Sequence, residues 1–392
     1  MKILRIQHAV DPRSYKIVNV LRSESDFKVE QAVYSARARD QRFYGTYRAS
    51  CIQFGPSLFR DGPVCNKLNW ALEQANLMFR PLNNFVGNRI WKLSQQMKPS
   101  VIHTCGPPDV LGVVAKKVSE LPVVHEIYDV YSLFDKPLTG AAQPELRTSL
   151  MMEPAIRARH KACLGWEEWV HNKCDALVYT SEEMQKWANE RYGPLKSTVI
   201  PNGVLKEDLP VGNMEKLHTT DGRIHCVYTG VINELQTHRR ILPRIREVLA
   251  SKDIALHLYP VTDNAADEML KWLPSKHPNL YLHKPLHYRD LYKELTRYDL
   301  GVVLLNATDE RLLNAALPNK VFEYVSAGLP IAVPPYKSLE SFISKYGCGF
   351  TVHDWTHGIL DNQSKIKEVP FRDEFTIDYY MPRLLELYRQ CS

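Results

Sequence analysis

At 392 residues the chain is longer than one hydrophobic core usually serves, so two domains are expected. With 44% hydrophobic and 24% charged residues it reads as a folded globular protein, and no run approaches the roughly 18 apolar residues of a membrane-spanning helix. The net charge of +6 is concentrated in the first half, where residues 1–205 carry 27 Lys and Arg against 20 Asp and Glu.

The densest basic patch is Arg37, Arg39, Arg42 and Arg48, interleaved with Tyr34, Phe43, Tyr44 and Tyr47. Two readings fit it: a solvated face, or a surface for an anionic membrane, an acidic acceptor or nucleic acid. The eight cysteines form no CxxC pair and no zinc-like spacing, so free thiols are expected. The opening MKILRIQHAV is too short and polar for a signal peptide, which points to a cytoplasmic location.

Lys2 to Gln7 reads as a first strand, and a helix with Ile17, Val20 and Leu21 on one side follows its loop. That turn lacks GxGxxG, which argues against a nicotinamide enzyme. Residues 68–97 carry helical periodicity. Pro99 to Ser132 then gives strand, Gly-Pro-Pro turn, helix and strand, ending in His125-Glu126-Ile127-Tyr128-Asp129. In an extended chain His125, Ile127 and Asp129 face one way, and Glu126 and Tyr128 the other.

Leu150 to Cys174 is a long helical candidate containing Trp166, Glu167, Glu168 and Trp169. Asp175 to Ser181 is a strand leading into a helix started by Ser181, Glu182 and Glu183. Pro201-Asn202-Gly203 reads as a tight turn, and the polar stretch Leu205 to Asp221 as a domain linker. From Arg223 the pattern restarts with a strand to Thr229, a sharp turn at Gly230 and a helix through Ile241, Ile245 and Leu249. Strands at Ala255–Tyr259 and Leu280–His283 and a helix at Arg289–Tyr298 follow.

The most informative stretch is Leu300 to Pro335. It reads as a buried strand, a loop, a helix with Pro318 at its first position and Gly328 as a left-handed cap, and a second strand at Ile331–Val333. Lys320 and Glu323 fall on one face of the first helical turn, beside backbone N–H groups that attract anions. A helix at Phe375–Cys391 closes the chain. Alternating β and α units in both halves give an α/β protein of two doubly wound Rossmann-like domains facing a cleft. Residues 1–205 form the first domain and residues 206–370 the second, with the helix of residues 371–392 crossing back.

The run LPNKVFEYVSAGLPIAV closely resembles the nucleotide-sugar-binding segment of family-4 glycosyltransferases, retaining enzymes of the two-Rossmann-domain GT-B type. VVHEIYDVYS, DALVYTSEEMQKWANERYG with TVIPNGV, and YTGVINELQTHRRI resemble further family segments in the same order. The resemblance implies that residues 1–205 form the acceptor-binding domain and residues 206–370 the nucleotide-sugar-binding domain, that Glu323 accepts the donor ribose hydroxyls and that Lys320, next to Asn319, faces the diphosphate. Gly230 lets its loop approach the phosphates, and Arg239 or Arg240 supplies a second cation.

On the acceptor side the implied catalytic candidates are Glu126, Tyr128, Asp129 and His125. Tyr128 stands where many members have histidine, and His125 is displaced by three residues. The family's first paired glutamate is replaced by Ala315, with Glu310 or Asp309 as candidate substitutes. The expected reaction is metal-independent transfer from a nucleotide-diphosphate sugar, a substrate rather than a cofactor, to a glycan or lipid-linked acceptor. Peripheral contact at the inner membrane face is expected through the basic first half, and nucleic acid is not an expected partner. A sugar-nucleotide epimerase of the same fold and a non-catalytic relative are the alternatives.

Overall fold

The computed structural model describes residues 1–38, 51–53, 80–106, 109–133, 153–231, 241–261, 277–306 and 310–392. The chain divides into two compact units, one built from the chain up to Ile200 together with Met381–Ser392, the other from Pro201–Tyr380.

The first unit is organised on seven parallel strands: β1 (Lys2–Val10), β2 (Lys28–Ala38), β3 (Cys51–Gln53), β4 (Val101–Cys105), β5 (Val123–Ile127), β6 (Ala176–Tyr179) and β7 (Ser197–Val199). Their order is β3-β2-β1-β4-β5-β6-β7, the doubly wound order with its switch between β1 and β4. Strand alternation divides the side chains between two faces. Leu4, Ile6, Ile102 and Val123 pack with Val86 and Ile90 of the Arg80–Met97 helix and with Val110, Leu111 and Val114 of the Val110–Val118 helix. The other face carries Arg5 and His103, paired across β1 and β4, and Glu126, paired with Cys105. The Met381–Cys391 helix meets this polar face, where the Tyr388 hydroxyl and His103 Nδ1 lie 2.5 Å apart.

The second unit repeats the scheme with β8 (Ile224–Gly230), β9 (Ile254–Pro260), β10 (Leu280–Leu282), β11 (Leu300–Val302), β12 (Ile331–Val333) and β13 (Gly349–Thr351), in the order β10-β9-β8-β11-β12-β13. Its apolar face gathers Ile224, Cys226, Tyr228, Leu256, Leu258, Leu300 and Val302 around Trp355, which is fully buried. The opposite face is more polar, with His225, Thr229 and His257. There the Asn319–Ser326 helix closes onto the sheet, and Gly301 in β11 makes the approach possible because a Cβ at that position would overlap the Tyr324 ring.

The structure corrects several local expectations. β2, with no expected counterpart, is eleven residues long and pairs with β1. Pro201–Gly203 is not a tight turn. The chain there forms no turn and leads into Val204, which bridges Thr376, and a Cβ on Gly203 would overlap the Thr376–Ile377 backbone. Residues 205–221 are not a linker: they fold into the second unit, where buried Asp208 accepts a 2.6 Å bond from Arg289 Nε. Pro318 caps the helix in an extended conformation instead of occupying its first position, because the helix begins at Asn319, and Gly328 is left-handed at φ +78°. Of the basic patch, Arg37 lies in β2, whereas Arg39, Arg42 and Arg48 are outside the described residues.

Candidate functional site

In the second unit the parallel order places the carboxyl ends of β8 and β11 at the topological switch point, the crevice where open α/β sheets receive ligands. β8 ends on Gly230 at φ +131°, a conformation open to glycine and strained for other residues. A Cβ there would lie 3.1 Å from Lys320 Nζ, so the ammonium packs against the bare turn. It also sits 3.5 Å from the centroid of the Tyr228 ring, whose π face favours a cation.

One helical turn on, Glu323 is buried and its Oε2 accepts from Thr229 Oγ1 at 3.1 Å. Thr229 N–H donates to the Tyr324 hydroxyl at 2.8 Å, tying the end of β8 to the same helix. Burial pushes the Tyr324 phenol well above its usual range, so it stays a neutral partner. Asn319, the first helical residue, has a buried Oδ1 with no hydrogen-bond partner among the described residues. Gly230, Asn319, Lys320 and Glu323 are therefore brought to one place. Arg239 and Arg240 lie outside the described residues, as does Asp309, while Ala315 is buried and Glu310 exposed.

In the first unit Glu126 and His125 separate as strand alternation requires. Glu126 points to the polar face and is fully buried. Its Oε2 accepts from Arg5 Nη2 at 2.6 Å, and its Oε1 from Arg13 Nε at 2.6 Å. Burial alone would raise the Glu126 carboxyl, but Arg13 and Arg5 outweigh it and hold it well below the usual carboxylate range. A carboxylate so paired favours its ionised form. Glu126 is thus engaged by two buried arginines on the face of β5 away from His125.

His125 turns to the opposite face, between Thr104 Oγ1 at 2.7 Å and Asp109 Oδ1 at 3.2 Å, and is also fully buried. It packs against Gly112 and has the surroundings of a core histidine. Tyr128 and Asp129, past the end of β5, are half-buried. The Tyr128 hydroxyl lies 3.1 Å from Ser14 Oγ, which donates to Asp11 Oδ2, and Arg13 stands over its ring.

Sequence reasoning missed Arg5, Arg13 and Thr229. Arg5 left a signal, a charge inside the apolar strand ILRI; Thr229 left none. The described residues also bring His103, Cys105 and Glu126 within ligand distance of one another. Arg5 bonds both Glu126 and His103, at 2.6 and 2.9 Å, so a guanidinium already fills the place of a metal cation.

Residues 69–207 match the sequence profile of Glycosyltransferase Family 4. No curated protein matches the chain in sequence. Among solved structures, sucrose-phosphate synthase from Thermosynechococcus elongatus is similar with a TM-score of 0.68 at 11% identity, over 100% of both chains. A glycosyltransferase from Rickettsia africae is similar with a TM-score of 0.62 at 10% identity, over 100% of this chain and 98% of that one. UDP-GlcNAc 2-epimerase from Neisseria meningitidis, bound to UDP-GlcNAc, gives 0.56 at 12% identity over 100% of both chains. These likenesses establish the fold: two Rossmann-like domains of the GT-B type. No helix among the described residues is long and apolar enough to cross a membrane.

Proposed function

We propose that this chain transfers a sugar, with retention of configuration, from a nucleotide-diphosphate sugar to a glycan or lipid-linked acceptor. The observation that carries the proposal is the convergence of Gly230, Lys320 and Glu323 at the switch point of the second sheet. Glu323 offers about four lone-pair positions, suited to a vicinal diol such as a ribose, and Thr229 fixes its orientation through one of them. Lys320 and the start of the Asn319–Ser326 helix supply positive potential for a diphosphate, with Asn319 as a further polar contact.

When the bond to the sugar breaks, negative charge grows on the leaving phosphate. A fixed ammonium and oriented amides stabilise it, an effect commonly worth about 3–4 kcal/mol per well-placed donor. The reading requires no metal and no cofactor. On the acceptor side Tyr128 and Asp129 are the candidates for touching substrate, and Glu126 and His125 hold β5 in place from within. The basic excess of the first half supports peripheral contact with an anionic membrane, which would appear as salt-sensitive pelleting with acidic-lipid vesicles; pelleting unaffected by lipid charge would contradict it.

The test is a thermal-shift panel of nucleotide sugars and nucleoside diphosphates, since a ligand of the native state raises stability by mass action. One base should raise the melting temperature and Glu323→Ala should abolish the rise; no shift with any compound would refute the reading. A second reading, a sugar-nucleotide epimerase, is favoured by the whole-chain likeness to UDP-GlcNAc 2-epimerases. It predicts an altered free nucleotide sugar from donor alone, whereas a transferase needs an acceptor.

A further inference from the structure

The polar face of the second sheet holds an arrangement that the donor site does not use. Three histidines lie in line across its first three strands. His225 on β8 and His257 on β9 are diagonal neighbours, the register pairing Val227 with His257, and His283 follows β10. His225 Nε2 is 2.9 Å from Asp221 Oδ1, His225 Nδ1 is 2.9 Å from His257 Nε2, and His257 Nδ1 is 2.9 Å from His283 Nε2. Tyrosine rings fix the imidazoles: His257 stacks on Tyr281 at 4.5 Å and 8°, and His283 on Tyr259 at 4.3 Å and 5°. His225 and His257 are buried, whereas His283 is half-buried.

Hydrogen-bond accounting fixes the direction of this line. Asp221 also receives Arg223 through its backbone N–H, Nε and Nη2, and its bond from His225 with those from Arg223 holds its carboxyl well below the usual range. An ionised carboxylate only accepts, so His225 must carry hydrogen on Nε2. If His225 is neutral, its Nδ1 accepts from His257 Nε2, and His257 Nδ1 in turn accepts from His283 Nε2. Every tautomer follows from the carboxylate at one end.

One added proton keeps all three bonds. It enters at His283 Nδ1, and at each link an N–H bond breaks on one ring as another forms on the nitrogen facing it, with no electron exchanged. The result is an imidazolium at His225, against Asp221, and the opposite tautomer at His257 and His283. A second proton would force N–H against N–H within a pair.

We propose that Asp221, His225, His257 and His283 form a one-proton wire whose hydrogen-bond polarity reverses in mild acid, turning His283 Nδ1 on the β10 side of the sheet from acceptor to donor. The surroundings agree. Burial, then His283 and His225, push His257 down to about 3, and burial lowers His283, so neither is the resting place of the charge. Of the charged groups that face the line, Arg223 and Arg297 oppose a proton on His257, and Glu294 favours one on His283. Asp299 accepts the His225 backbone N–H, and the Tyr259 and Tyr298 phenols bond each other at 2.8 Å.

The test is histidine 15N NMR on the full-length chain at pH 8 and about pH 5, on either side of the usual histidine value of about 6.5. All three rings should carry hydrogen on Nε2 at pH 8. At pH 5 His225 alone should be an imidazolium, with His257 and His283 protonated on Nδ1. In Asp221→Asn, with folding checked by thermal melting, the proton should no longer settle on His225. A resting Nδ1–H tautomer in any ring, an imidazolium at His283 beside an unchanged His257, or wild-type behaviour in the variant would overturn the proposal.

Discussion

Replacing Glu126 by alanine separates a structural carboxylate from a catalytic one. The substitution leaves the Arg5 and Arg13 guanidinium groups facing each other in the interior, with Arg5 fully buried and Arg13 4% exposed, and removes two 2.6 Å charge-assisted bonds. Breaking a buried ion pair by deleting one partner costs about 3–5 kcal/mol. In a unit of this size each kcal/mol lowers the melting temperature by about 2–4 °C, so a fall of about 6–20 °C is expected. Glu126→Gln keeps the shape and some hydrogen bonds and should fall between wild type and alanine. Calorimetry and urea unfolding of the three proteins give the ranking. An alanine variant that melts like wild type, yet has lost activity, would refute the structural role and restore the catalytic one.

Other outcomes follow from single contacts. Gly301→Ala drives a methyl into the Tyr324 ring; overpacking of this kind costs about 1–3 kcal/mol, to be read as a lower urea midpoint. Thr229→Val removes the bond that orients Glu323 and should weaken nucleoside diphosphate binding about fivefold or more in calorimetry, whereas Thr229→Ser should restore it; equal affinity in both would count against the orienting role.

Burial pushes His171 down to about 4. The unfolded chain, with its histidine near 6.5, therefore binds the extra proton between about pH 6.5 and 4, and stability falls as pH drops through that window. From pH 7.5 to 5 the loss is about 2 kcal/mol, and His171→Phe should lack that share of the pH dependence in urea unfolding.

The fold was legible because both halves alternate buried strands with capped helices, a pattern that fixes a parallel sheet before any contact is known. Alternation also predicted the opposite facing of His125 and Glu126. What each residue meets was not legible. Glu126 finds its partners 121 and 113 residues away, on Arg5 and Arg13, and nothing local marks them as a pair. Pro201-Asn202-Gly203 has turn-forming residues, but the glycine serves the close approach of the Thr376–Ile377 backbone, a tertiary demand that overrides the local preference. Lys320 and Glu323 were visible because their spacing on one helix is local. Thr229, which orients Glu323, comes from another strand and was not.

In the proposed function the second unit holds a nucleoside diphosphate between the end of β8 and the start of the Asn319–Ser326 helix. Amide hydrogen exchange on the full chain, with and without the nucleoside diphosphate that raises its melting temperature, tests this most directly. New protection is expected at Gly230–Val231 and Asn319–Glu323, lost in Glu323→Ala. Protection confined to other segments, or kept undiminished in that variant, would contradict it.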